Sequence, residues 1–285
     1  MGSVAFLFAG QGAQHPAMGV DLIEHHRRLP RCLQSPMRYA RGRASSAGVP
    51  PRRSSRRLRT RSLACSCTTW LSPSPCVSAA WCLPPVRDSR WGEVAALTFA
   101  GTFDTRAGFE LVCERAALMA TAAERHPGGM RAVIKLDAAQ VEGLAKQAGE
   151  DCWPVNYNSP QQTVVAGAPD ALQTLDVLVK EAGGRAMKVA VSGAFHSPYM
   201  AEATCGLAAY IDAGHAPSPL LIPVMANMTA APYPADPRAA SDVLANQVSH
   251  AVRWSTRCML CRIKASTRLL RSAPAKRCPA WSSVR

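Results

Sequence analysis

Trp153-Pro-Val-Asn-Tyr-Asn-Ser-Pro-Gln-Gln-Thr-Val-Val-Ala166 sets two β-prone runs, 153–157 and 162–166, on either side of an Asn158-Ser-Pro turn. Upstream, Met130 to Leu136 has the composition of a strand and Ala138 to Ala148 that of a helix. Downstream, Ala171 to Ala182 is helical and Ala186 to Val191 again strand-like. The order is β-α-β-β-α-β within about 62 residues, the ferredoxin-like pattern.

Further out the chain keeps alternating. Apolar residues at Phe109, Val112, Ala116, Met119 and Ala123 recur at helical spacing from Thr105 to His126, and Pro127-Gly128-Gly129 stops the run. Glu93 to Ala100 is helical and ends at Gly101. Val4 to Phe8 is a short apolar strand entering a tight loop at Ala9-Gly10-Gln11-Gly12. The expectation is an α/β chain with a smaller subdomain, 128–191, inserted into a core formed by 1–127 and 192–285. No internal repeat is found.

Composition bounds the function. The 285 residues are 48% hydrophobic, enough to bury a core, which argues against disorder throughout. No run of about 18 uncharged apolar residues occurs. No basic region precedes the first apolar stretch, and Phe6 stands where a myristoylation signal has Ser or Thr. A soluble cytoplasmic protein is expected. Cys258-x-x-Cys261 lacks a second pair at zinc-ribbon spacing and Cys65-x-Cys67 is too tight, so no metal site is expected.

The net charge of +14 is unevenly placed. Residues 27–92 hold 14 Arg, no Lys and one acid, Asp88; residues 253–285 hold seven Arg, two Lys and no acid. The rest carries 10 basic and 18 acidic residues. Cysteine divides the same way, with only Cys113, Cys152 and Cys205 outside the two blocks. Three readings compete. The run Arg52-Arg-Ser-Ser-Arg-Arg-Leu-Arg-Thr-Arg61 suits phosphate neutralisation by a nucleic-acid arm. The same Arg, Ser and Pro content suits a disordered linker. Arg, Ser, Pro, Cys and Trp without Lys or acids is also what out-of-frame translation of GC-rich DNA produces.

Six motifs decide among them. Phe6-Leu-Phe-Ala-Gly-Gln-Gly-Ala-Gln14, Gly92-Glu-Val-Ala-Ala-Leu97, Glu114-Arg-Ala-Ala-Leu-Met119, Tyr157-Asn-Ser-Pro160, Gly193-Ala-Phe-His-Ser-Pro198 and Gln247-Val-Ser-His-Ala-Val-Arg-Trp254 follow one another in order. Together they resemble the malonyl-CoA:acyl carrier protein transacylases. The resemblance implies an α/β-hydrolase-like core with a parallel sheet, and acyl transfer through a serine ester in fatty acid biosynthesis. It implies His196 as general base, Gln247 as the residue whose backbone orients that histidine, and Gln11 in the oxyanion loop. It also implies Arg115 as the fork that holds the malonyl carboxylate, while Phe195 matches malonyl-selective relatives. Malonyl-CoA and acyl carrier protein are the implied partners of a monomer that binds neither nucleic acid nor membrane. Coenzyme A arrives with the substrate and no other cofactor is implied. A polyketide synthase acyltransferase shares this site, although Gly-Gln-Gly-Ala-Gln at the very start of the chain favours a discrete transacylase. A basic nucleic-acid binder using 27–90 is the reading from another class, and it has only Tyr39, Trp70 and Trp81 for stacking.

The nucleophile is missing from this set. The family's Gly-His-Ser-Leu-Gly-Glu, with Gln often replacing His, should end at Gly92-Glu93. Counting back places Arg90 at the serine position and Ser89 at the His or Gln position. Arg87-Asp-Ser-Arg-Trp91 can be encoded AGG-GAC-AGT-CGC-TGG. Read from each third base, that string gives Gly-Gln-Ser-Leu. The same offset applied to one permitted encoding of Ser272 to Ser282 gives Leu-Gly-Pro-Gly-Lys-Glu-Val-Pro-Gly-Leu-Val. This resembles the Gly-Pro-Gly-Lys signature near the family's C-terminus. Both basic blocks are therefore expected to be frame products, with compensating one-base changes near codons 27 and 92 and another near 254.

Overall fold

The computed structural model describes residues 4–9, 79–83, 92–257 and 268–271. The chain is α/β and divides into two compact units: residues 1–117, 217–225 and 264–285 form one, and 118–216 with 226–263 form the other.

In the first unit, β1 (Val4–Ala9) lies between β2 (Ala79–Leu83) and β7 (Arg268–Arg271). Both pairings are parallel, with Ala5 opposite Ala79 and Val4 opposite Arg268. α1 (Gly92–Phe99) is buried on almost every side, as an eight-residue run dominated by Val94, Ala95, Ala96 and Leu97 requires. It ends at Gly101, whose φ of 82° lets Thr102 N–H reach back to the Leu97 carbonyl at 3.0 Å. α2 (Thr105–Arg125) starts where Asp104 accepts from Ala107 N–H at 2.8 Å. The helix crosses from the first unit into the second.

The second unit contains β3 (Gly129–Ile134), α3 (Ala138–Ala148), β4 (Cys152–Ser159), β5 (Gln162–Gly167), α4 (Pro169–Glu181) and β6 (Arg185–Lys188). The strand order is β4-β5-β3-β6 and every pair is antiparallel. This antiparallel sheet lies within the segment read as β-α-β-β-α-β, and the parallel pairings are those of β1 in the first unit. Ser159 faces Gln162 across Pro160 and Gln161, and so short a turn can join only antiparallel strands. α3 opens on a capping box: Asp137 accepts from Gln140 N–H at 2.8 Å, and the Gln140 side chain accepts from Asp137 N–H at 3.0 Å. Val141, Ala145, Leu172, Leu175 and Val179 of the two helices close a core over Val133 and Val165 of the sheet.

Two of the boundaries that differ from expectation have evident physical reasons. β4 runs on to Ser159, because its pairing with β5 continues past Tyr157 through a bulge. β6 stops at Lys188, three residues early: Val191 N–H turns back to the Val189 carbonyl at 2.8 Å and the chain leaves the sheet. Nor does the sheet stand apart. Tyr157 N–H and Val252 N–H bond to the Val252 and Val155 carbonyls at 3.0 and 2.8 Å, so β4 also pairs with the chain near residue 252. This pairing helps make the second unit wider than residues 128–191.

Among the described residues, no helix is long and apolar enough to cross a membrane. Cys152 is buried in the core over the four-stranded sheet, and burial pushes its thiol up to about 11.

Candidate active site

After β6 the chain enters a buried loop that carries His196. Gly193 is required at its start: a Cβ there would sit 2.6 Å from the Ala123 Cβ of α2. Gly128 is confined in the same way, since its Cβ would fall 2.8 Å from that of Ala194. Ala194, Phe195 and Ser197 are fully buried and His196 is 2% exposed. Ser197 Oγ donates to the Ala194 carbonyl at 2.6 Å, and Met200 N–H closes a short 3-10 turn (Pro198–Met200) on the Ser197 carbonyl at 3.0 Å. α5 (Ala201–Asp212) follows.

The far side of this loop is fastened to its surroundings. The Tyr199 ring lies 5.0 Å from that of Trp153, edge to face, and 5.5 Å from that of His126. Burial, then the Asp151 carboxylate that accepts from the phenol, raises the Tyr199 pKa above its ordinary value. Arg125 at the end of α2 meets Glu202 in the first turn of α5 at 2.7 Å.

Gln247 follows α6 (Pro237–Asn246), a helix capped by Asp236, which accepts from Ala239 N–H at 2.7 Å. The last carbonyls of a helix have no intrahelical donor. At the end of α6, the Gln247 carbonyl meets His196 Nδ1 at 2.9 Å. A carbonyl only accepts, so Nδ1 carries a proton, and in the neutral ring Nε2 then holds the lone pair. The imidazole is held in the tautomer suited to accept a proton at Nε2.

Arg115 lies on α2 in the first unit, 1% exposed, beside Leu111, Val112, Ala116 and Met119 in the helix's buried positions. Gln11, Ser89 and Arg90 lie outside the described residues; the last two fall in the chain segment between β2 and α1. Glu93, the end of the nucleophile motif, is buried in the first turn of α1.

Sequence reasoning passed over a second buried polar group. Asn227 is fully buried, and its Oδ1 accepts from Arg257, itself 1% exposed. The Arg257 guanidinium stands 5.2 Å from the centre of the Trp254 ring, and Arg253 N–H bonds to the Asn227 carbonyl at 2.9 Å. No local pattern links positions 30 apart. The one available signal was Trp254, at the end of a quoted motif.

With this geometry in place, comparison with known proteins decides the family. The acyl transferase domain model matches residues 90–259. The chain belongs to the acyl transferase family. The transferase is 31% identical over 256 residues to the polyketide biosynthesis malonyl CoA-acyl carrier protein transacylase BaeC of Bacillus velezensis, covering 88% of this chain and 86% of that one. It is 34% identical over 163 residues to the malonyl CoA-acyl carrier protein transacylase of Synechocystis sp., which is 57% of this chain and 53% of that relative. The solved malonyl-CoA:acyl carrier protein transacylase of Xanthomonas oryzae superposes with a TM-score of 0.81 at 26% identity, over 96% of the transferase and 88% of that chain.

Proposed function

We propose that this scaffold moves malonyl from coenzyme A to the phosphopantetheine thiol of an acyl carrier protein, in fatty acid biosynthesis. In this reading His196 Nε2 takes the proton of a serine hydroxyl, the serine attacks the thioester carbonyl, and a malonyl ester forms as the thiol leaves. Return of the proton and attack by the carrier thiol complete the transfer. The observation that carries the reading is the bond from His196 Nδ1 to the Gln247 carbonyl. It fixes the tautomer and sets the negative end of α6 beside the charge that grows on the ring. Arg115 would hold the malonyl carboxylate through its planar fork, and the backbone around Gln11 would meet the oxyanion. Coenzyme A enters only as the donor's carrier. The fold that goes with this chemistry is an α/β-hydrolase-like core, 1–127 with 192–285, bearing a ferredoxin-like subdomain at 128–191. The β4-β5-β3-β6 order supports the second half of that description. A polyketide pathway is the alternative, favoured by the match to BaeC over most of both chains.

The chain as it stands is impaired in this reading, because Arg90 has no group able to form an acyl ester. Ser89 is one residue off and its side chain would point elsewhere on an elbow. The loss is attributed to frame. The family match spans 90–259, so it leaves out most of both basic blocks. Incubation with malonyl-CoA followed by intact mass spectrometry is expected to find no malonyl-enzyme ester. A stable malonyl adduct on Ser89 would overturn this.

A further inference from the structure

His196 has φ 62°, a left-handed conformation that a non-glycine residue adopts only when its surroundings enforce it. Two side-chain bonds bracket the strain. One is the imidazole's own bond to the Gln247 carbonyl. The other is Ser197 Oγ to the Ala194 carbonyl at 2.6 Å, which closes a four-residue loop around His196 with a side chain in place of a backbone donor. Ser197 is fully buried and its hydroxyl points into the loop itself.

We propose that Ser197 is a positioning residue, whose hydroxyl holds residues 194–197 in the strained turn that keeps His196 Nδ1 on the Gln247 carbonyl. The packing around it explains why a side-chain tether is needed. Gly193 against Ala123 and Gly128 against Ala194 fix where the loop begins, and the Tyr199 rings with the Arg125–Glu202 pair fix where it ends. None of these contacts reaches across His196. A relaxed φ at that residue would rotate the imidazole away from Gln247 while leaving both ends in place. The hydroxyl is the group that ties the two sides of the strained residue together.

This inference rests on the reading of His196 as the base, but its test needs no turnover. The Nδ1 proton of His196 can be followed by NMR in protein labelled with nitrogen-15 at histidine, with assignment by His196→Gln. Ser197→Ala is expected to speed solvent exchange of that proton about tenfold, the loss of one modest hydrogen bond. Ser197→Thr is expected to restore slow exchange. Leu175→Ala, in the core over the four-stranded sheet, serves as the control: it lowers the melting temperature and leaves the His196 proton unchanged. If Ser197→Ala does not fold, Ser197→Cys carries the comparison, because a thiol fills the space but donates weakly. Exchange in the folded Ser197 variant no faster than in Leu175→Ala would overturn the proposal, and so would a failure of Thr to rescue. Malonyl transfer is a separate measurement, made on protein whose residues before Gly92 are changed to Gly-Gln-Ser-Leu, so an inactive protein of that kind with a normal His196 signal counts against the function and not against the tether.

Discussion

A gene rebuilt so that residues 27–92 and the tail from about 254 are read in the neighbouring frame is expected to yield an enzyme that forms a malonyl-serine ester, where the chain as it stands forms none. The expected gain is large because serine and histidine act as a unit. Removing such a nucleophile costs on the order of 10^4 to 10^6 fold in rate, and restoring it is expected to return most of that. His196, the base of the proposed mechanism, is buried, with its Nδ1 on the Gln247 carbonyl. The rebuilt segment supplies Gly-Gln-Ser-Leu directly before Gly92, at the mouth of α1. A single change, Arg90→Ser, is expected to recover far less, because the residues before it still lack the family's elbow sequence. Intact mass after exposure to malonyl-CoA reads both proteins. An ester of equal yield on the unaltered chain would count against the account.

The second large effect concerns substrate choice. In the rebuilt enzyme, Arg115→Ala is expected to lower kcat/KM for malonyl-CoA by about 10^2 to 10^3 fold, while acetyl-CoA loses little. Charge-assisted hydrogen bonds are about twice as strong as neutral ones, and truncating one partner of a buried charge pair costs about 2–5 kcal/mol. Arg115→Lys should recover only part, since an ammonium cannot offer two parallel donors to one carboxylate. The ratio of the two substrates is the measurement that matters. A side chain serving only to pack α2 would lower both activities together, and that result would remove Arg115 from substrate recognition.

Local pattern made much of this molecule legible. α3 is bounded as read, because Asp137 and Gln140 form a cap that four residues suffice to specify. α2 ends one residue before His126, where Pro127-Gly128-Gly129 cannot continue a helix. The strands of the second unit show as short β-prone runs, and β4 and β5 were read on either side of their turn. What stayed hidden depends on contacts between distant segments. The backbone bonds from β4 to Val252, the Asn227–Arg257 pair and the left-handed His196 leave no trace in periodicity. The same holds for the site. His196 and Gln247 were legible as motif members, but that the contact runs through the end of α6 follows only from the packing of two helices. Ser197 sat within a quoted motif and was passed over, since a buried hydroxyl turned on its own loop looks in sequence like any serine.

The basic blocks are the feature that sequence exposes most sharply, and DNA sequencing tests their origin most directly. Compensating one-base changes near codons 27 and 92 and a further change near codon 254 are expected, relative to a coding sequence that reads Gly-Gln-Ser-Leu-Gly before Glu93. A clean, uninterrupted frame in the source genome that encodes both arginine-rich blocks as they stand would contradict it.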